Sequence, residues 1–358
     1  MNRRDVLAGL VALPGSTLIG ANAPPATAPR GRAQRADLSE SGTQTAIIAL
    51  TRSGPVASSA DGQLMENLDI EAQSGNGITV THPNVTIRNC RIRHAGGHGV
   101  HAEGAAGLVL QDLDIDHVGA PPTGVGPSED RNNVNLESCP GAVITRVKAS
   151  RGSSNIYAVS SQRSRMGLLE LHDARGPFPR GQNLQLHDSP NSTVEEFSAE
   201  NGSTSWTEDN ISVFRSDGCV VRRGLVYYNN SPTGDAVMIE GSVECLVEDV
   251  DAEQQGNGAF AAVPQGNAGS GGCIFLRCRT RQSYNTGRDG RGPPSSNGLS
   301  IYTRISVGAQ KHTITDCCYD ALANSRNLIW DLRAVNPGWS FTRQAFTPRR
   351  PIRLVFGW

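Results

Sequence analysis

Val85-Thr86-Ile87-Arg88-Asn89-Cys90-Arg91-Ile92 alternates apolar and polar residues, skips a beat at Arg88-Asn89, then alternates again. The same cadence follows in Leu108-x-Leu110-x-x-Leu113-x-Ile115 and in Ala142-x-Ile144-x-x-Val147-x-Ala149. A fourth copy reads Met166-x-Leu168-x-x-Leu171-x-Asp173. An earlier copy centres on Met65, and later ones on Val194, Val221, Val247, Phe275 and Ile314. Alternation of this kind sends the side chains of a short strand in and out by turns. The paired residues that break it, Arg88-Asn89, Gln111-Asp112 and Glu248-Asp249, predict a sharp bend onto a second face. Successive centres lie between 22 residues (Met65 to Ile87) and 39 residues (Phe275 to Ile314) apart. Repetition at this interval marks a solenoid, whose units bury their apolar faces against one another.

A further strand precedes each copy, as in Gly99-Val100-His101-Ala102, Asn133-Val134-Asn135-Leu136 and Asn183-Leu184-Gln185-Leu186. Three strands per coil, each pairing with its equivalent one coil on, predict three parallel sheets around a narrow core. The fold class is therefore all-β: a single-stranded, right-handed parallel β-helix of about ten coils, since parallel crossovers are right-handed. No segment holds a helical period, and 40 glycines and 20 prolines punctuate the chain. Both ends of such a rod expose strand edges that need covering. Thr45 to Leu50 is expected to enter the first coil. The segment after Ile314, with Leu328-Ile329-Trp330 and the tail Pro351 to Trp358, is expected to close the last one. Residues 45–358 then form one domain.

Arg3-Arg4 before a short, weakly apolar run resembles a twin-arginine export signal over residues 1–28, with small-x-small sites at Ala21-Asn22-Ala23 and Ala26-Thr27-Ala28. Residues 29–44 form an Ala-, Pro- and Arg-rich leader. The expected location is periplasmic or extracellular, with no membrane insertion. A formal charge of −1 and no arginine stripe argue against a nucleic-acid partner. Six of the eight cysteines fall on inward strand positions: Cys219, Cys245 and Cys273 share one slot on successive coils, and Cys90, Cys278 and Cys317 another. Stacked neighbours are close enough to bridge, and a reduced, buried ladder is the preferred reading.

An inward residue of a narrow β-helix never meets a substrate, so function falls to outward positions and loops. The outward column of the leading strands runs His101, Asn135, Tyr157, Gln185, Ser212, Met238, and the next one Glu103, Glu137, Val159, His187, Phe214, Glu240. Long irregular loops flank this face. A polar lane along a rod suits a linear polysaccharide. The densest candidates lie on three neighbouring coils. Gln182, Asp209 and Asp235 occupy matching positions, with Glu208 beside Asp209 and Arg180, Trp206 and Arg215 close in sequence. Glu208, Asp209 and Asp235 are the candidate catalytic acids, because glycosidic cleavage uses paired carboxylates. Tyr157, Arg180, Gln182, Gln185, His187, Trp206, Ser212, Arg215 and Glu240 are the candidate substrate contacts. The competing reading of Asp209 and Asp235 is structural, because side chains just before a strand often bond turn amides. For Asn133, Asn155, Asn183 and Asn210 a structural ladder is preferred.

The coil pattern resembles the pectin-lyase-like right-handed β-helix superfamily over nearly the whole chain after the leader. That group includes polysaccharide lyases, polygalacturonase-type hydrolases, epimerases and phage depolymerases. Within it, Glu208-Asp209-Asn210-Ile211 stands where the hydrolases carry an Asp-Asp pair opening a strand. Gly234-Asp235-Ala236 stands where they have Gly-His-Gly, and Gly181-Gln182-Asn183 where they have Asn-Thr-Asp. The resemblance implies a carbohydrate-active protein acting by hydrolysis or β-elimination. A lyase needs a base and a partner for the uronate carboxylate, for which Tyr157, Arg180, His187 and Arg215 are candidates. Calcium held by Glu208, Asp209 and Asp235 would serve the same chemistry. A non-catalytic glycan-binding or surface-structural β-helix is the alternative.

Overall fold

The computed structural model describes residues 48–121, 130–176, 181–203, 205, 207–229, 231, 234–282, 300–321 and 328–358. All of them belong to the compact unit Ala46–Trp358. The segments 1–28 and 29–44 lie outside the described residues.

The unit is a right-handed parallel solenoid of about ten turns. Among the described residues its strands form two ladders, one of 15 strands and one of 11, and each coil contributes to both. Every named strand pair is parallel, and equivalent residues meet in register: Cys90 with Leu113, Leu113 with Val147, Val147 with Leu169, Leu169 with Phe197. The second and third strand segments of each coil, expected as separate sheets, run on as one strand, as in Thr86–His94 and Val109–His117. One left-handed residue turns the chain between them: Asn89 at φ 52°, Asp112 at φ 53°, Asp249 at φ 54°. These are the second members of the pairs that break the alternation. A single such residue bends the strand without losing the ladder, because its own N–H still bonds the next coil, as Asn67 does to the Arg88 carbonyl at 3.2 Å. Three faces therefore arise from two sheets. In a later coil the strand divides at the bend residue Arg277, φ 52°, and Ile274–Leu276 and Arg279–Arg281 both pair with Leu246–Glu253.

The fourth copy sits differently from its sequence reading. Leu168 is the left-handed bend residue at φ 53°, and Met166, Leu169 and Leu171 face the core. Buried Ser164 fills the leading inward slot, and its polarity hides the true register from an apolar count. Down the interior, that slot passes from Val85 and Leu108 through Ala142, Ser164 and Ser192 to Cys219, Cys245 and Cys273. All eight cysteines are free and buried. Large and small residues alternate to fill the core: a Cβ on Gly224 would lie 2.1 Å from the Phe197 ring on the preceding coil.

The chain's tail also departs from expectation. Ile329–Trp330 and Phe341–Arg343 supply the last strands of the two sheets. Residues 344–358 then turn back along the outer face of the 15-stranded sheet instead of capping its end. Phe346 lies under the guanidinium of Arg279, centred 4.8 Å away. The Arg349 N–H donates to Asp251 at 2.7 Å, and the Ile352 carbonyl accepts from Ser198 at 3.3 Å. Arg353 pairs with Glu200, and the Leu354 N–H donates to Glu170 at 2.6 Å. Finally the Val355 carbonyl accepts from Arg146 at 3.2 Å, and that of Gly357 from the Ile48 N–H at 2.6 Å. Glu170 and Asp251 are buried there, and hydrogen bonds from His172 and the Leu354 N–H hold the Glu170 carboxyl below its usual range against the opposing effect of burial.

Candidate functional site

The turn that leads into each strand of the 11-stranded sheet carries two polar columns. The first is a stack of buried amides. Asn133 donates to Asn155 at 2.7 Å, Asn155 to Asn183 at 2.6 Å, Asn183 to Asn210 at 2.8 Å, and Asn210 to Gln255 at 3.1 Å. This is the ladder expected of these asparagines: each amide both donates and accepts, so the stack closes without water.

The second column lies one residue earlier. There, five side chains accept the backbone N–H of the next rung. Asn76 accepts from His98 at 3.0 Å, His98 from Asn132 at 2.9 Å, Asn132 from Ser154 at 2.8 Å, and Ser154 from Gln182 at 3.1 Å. Asp209 continues the device, accepting the Asp235 N–H at 2.9 Å. The register of the neighbouring strands thus stacks Gln182, Asp209 and Asp235, as the alignment of the repeats implies. All three are buried, as is Glu208. The backbone of Glu208 is pinned as well, its N–H donating to Gly181 at 2.9 Å and its carbonyl accepting from Asn229 at 3.1 Å. Among the described residues no three His, Cys, Asp or Glu side chains gather as a metal-ligand set.

The outward columns are half-buried at Tyr157, Val159, Gln185, His187 and Phe214 and closed at Ser212, Met238 and Glu240. Tyr157, Gln185, Ser212 and Met238 stand on successive rungs, with Val159, His187, Phe214 and Glu240 beside them. The Tyr157 hydroxyl meets His187 Nδ1 at 2.8 Å. His187 Nε2 lies 2.9 Å from Arg215 Nη2 and 3.4 Å from Asp188 Oδ2. Arg215 is tied to Asp188 at 2.5 Å, and its guanidinium lies 5.0 Å from the Phe214 ring centre. Phe214 also packs edge-on against His187, centroids 4.8 Å apart. Tyr157, His187 and Phe214 are half-buried, and Arg215 is exposed.

Of the sequence candidates, Tyr157, His187 and Arg215 are thus brought into contact at the far end of these strands. Gln185 donates to buried Ser212 at 3.3 Å within the same column. Glu240 is buried, and its carboxylate accepts from Gln265 at 2.9 Å. Arg180 and Trp206 lie outside the described residues. Asp188 joins this group although it is not among the site candidates drawn from the sequence. It follows the strand Leu184–His187 as Arg215 follows Ile211–Phe214, both at left-handed φ. An acid and an arginine one coil apart at that slot were the available signal.

The family model described as a right-handed β-helix region matches residues 46–154. No curated protein sequence matches the chain. Among solved structures, the Dettilon tailspike protein is similar at TM-score 0.53 and 8% identity, over 82% of this chain and 61% of that one. The enzymatically active domain of bacteriophage CBA120 tailspike protein 2 follows at TM-score 0.41 and 8% identity, over 76% and 43%. The Agl-KA catalytic domain gives 0.31 and 13%, over 82% and 54%. The chain spans less than two thirds of the length of each. The cadence of the sequence, the two parallel ladders and the matched family region together identify this chain as a right-handed parallel β-helix.

Proposed function

We propose that this chain is an exported carbohydrate-active protein that holds a linear polysaccharide along the outer face of its 11-stranded sheet and cleaves it at Tyr157, His187 and Arg215. One observation carries the reading. On three consecutive rungs, a phenol, an imidazole and a guanidinium touch one another at a half-open face beside an aromatic ring. Groups that exchange protons are useful where a polymer can reach them. The tailspike likeness supports the fold on which this outer face is built. Glu208, Asp209 and Asp235 act in this proposal as buried supports of the turn that leads into the strands, and Gln185 as a polar contact on the lane, held from below by buried Ser212.

A second reading, a glycan-binding protein without turnover, is favoured by the structural use of Asp209, whose carboxylate serves a backbone amide. The test is a panel of acidic and neutral polysaccharides, scored for binding, new reducing ends and unsaturated products. The cleavage reading expects turnover that Tyr157→Phe abolishes and that the Asp209→Asn, Asp235→Asn double variant retains. Binding with no new chain ends leaves the second reading. A protein that neither binds nor cuts any member of the panel overturns both.

A further inference from the structure

The column that links rung to rung through side-chain acceptors changes chemistry at His98. Asn76, Asn132 and Ser154 take the next N–H on an oxygen, but His98 takes the Asn132 N–H on ring nitrogen Nδ1 at 2.9 Å. A ring nitrogen that accepts from an N–H holds no proton, so His98 is neutral with its hydrogen on Nε2. A proton added to Nδ1 turns the acceptor into a donor and sets it against the Asn132 N–H. An amide oxygen in the same slot keeps accepting throughout the range in which histidine titrates. Asparagine fills that slot on the rungs to either side, at Asn76 and Asn132.

The same ring is tied to the outer face. His101 stacks on it, centroids 5.3 Å apart. Asn132 donates to Asn135 at 2.9 Å, and Asn135 donates to His101 Nδ1 at 3.1 Å and to Glu137 at 2.9 Å. His98, Asn132, Asn135 and His101 thus close a circuit between two rungs. Gly96, Gly97 and Gly99 surround His98 in the chain, so the imidazole is this turn's side-chain grip on the coil of Asn132. We infer that His98 is an acid-operated latch: a proton on Nδ1 frees the turn 96–99 from the coil of Asn132 and slackens His101 and Asn135 on the outer face, while the later coils stay closed. The ring takes one proton from solvent and gives up one hydrogen bond. Burial, aided by His101 and His94, pushes the ring down to about 4, and Glu137 opposes them. Arg131, beside Asn132, is bonded to the Ala95 carbonyl at 3.0 Å. The latch works with or without a ligand on the lane.

The experiment is amide exchange of the full chain between pH 7 and 4, corrected for the intrinsic rate. It reads the Asn132 N–H against the Gln182 N–H, which bonds Ser154 in the same column at 3.1 Å. A released histidine titrates near 6.5, so protection of Asn132 should fall about tenfold per pH unit below that value, and about 300-fold by pH 4. Gln182 should lose less over the same window. His98→Asn keeps an oxygen for the Asn132 N–H and should flatten its slope to that of Gln182. The imidazole nitrogen spectrum at neutral pH should show the hydrogen of His98 on Nε2. Equal loss at both amides means that the rod opens as a whole, and it overturns the latch. An unaltered Asn132 slope in His98→Asn, or a hydrogen found on Nδ1 at neutral pH, overturns it as well.

Discussion

Gly234 has no room for a single added carbon: a Cβ there would sit 1.2 Å from the Glu208 carbonyl oxygen. Gly234→Ala must push apart the two coils that carry Glu208 and Asp235. A loss of about 3 kcal/mol or more is expected, measured as the shift in the urea midpoint. Asn183 illustrates a different dependence. It accepts from Asn155 and donates to Asn201 at 3.0 Å and Asn210 at 2.8 Å, all buried. Asn183→Ala takes a hydrogen-bond partner from three buried amides, for about 3 kcal/mol by the same measurement. The histidines set an acid limit. Burial, followed by the neighbouring His101 and His94, pushes His98 down to about 4, and burial and His94 push His117 down to about 4. His94, stacked on His117 at 4.8 Å, is lowered by burial too. A base depressed in the folded state binds fewer protons there than in the unfolded chain, so stability rises with pH between the two values. The contribution is complete above about pH 6.5 and shrinks as pH falls toward 4, by about 3 kcal/mol each for His98 and His117. Urea titrations across that window should show the slope, and His117→Asn should flatten it.

At the level of strands and turns, much was legible because the β-helix repeats its logic. Inward columns follow from alternation, so the cysteine slots and the asparagine stack could be placed by aligning the copies. The bends at Asn89, Asp112 and Asp249 were legible because Asn and Asp tolerate left-handed backbone. The bend at Leu168 was not, since a leucine gives no such sign and Ser164 masked the register. Nor was the burial of Glu208, Asp209 and Asp235 readable, because accessibility depends on how loops lie over the turn rather than on the strand period. The Tyr157 contact with His187 was half legible: the two columns were known, but side chains reach diagonally across rungs in ways spacing does not encode. The ladder role of Asp209 yields a clean comparison. Asp209→Asn keeps an oxygen for the Asp235 N–H and should change stability by less than about 0.5 kcal/mol. Asp209→Leu leaves that amide unpaired, at a cost of about 1–3 kcal/mol. Equal midpoints for the two variants would remove the ladder argument.

Across the whole solenoid, residues 344–358 bring three arginines and no acid to a face lined with Glu170, Glu200, Asp249 and Asp251. Their removal should uncover two buried carboxylates and lower the unfolding midpoint, with the loss shrinking in high salt as the surface ion pairs are screened. In a chain of stacked coils each rung answers only to its neighbours, so ends fray and disorder spreads gradually inward. Here one extended segment touches rungs from Arg279 back to Arg146. A rung under it cannot open without lifting a splint shared by the others. Amide exchange should therefore find the coils between Arg146 and Arg281 protected as one block that opens together. Deletion of residues 344–358 should dissolve that block into a gradient running from each end, and an unchanged block would mean that the coils cooperate without it.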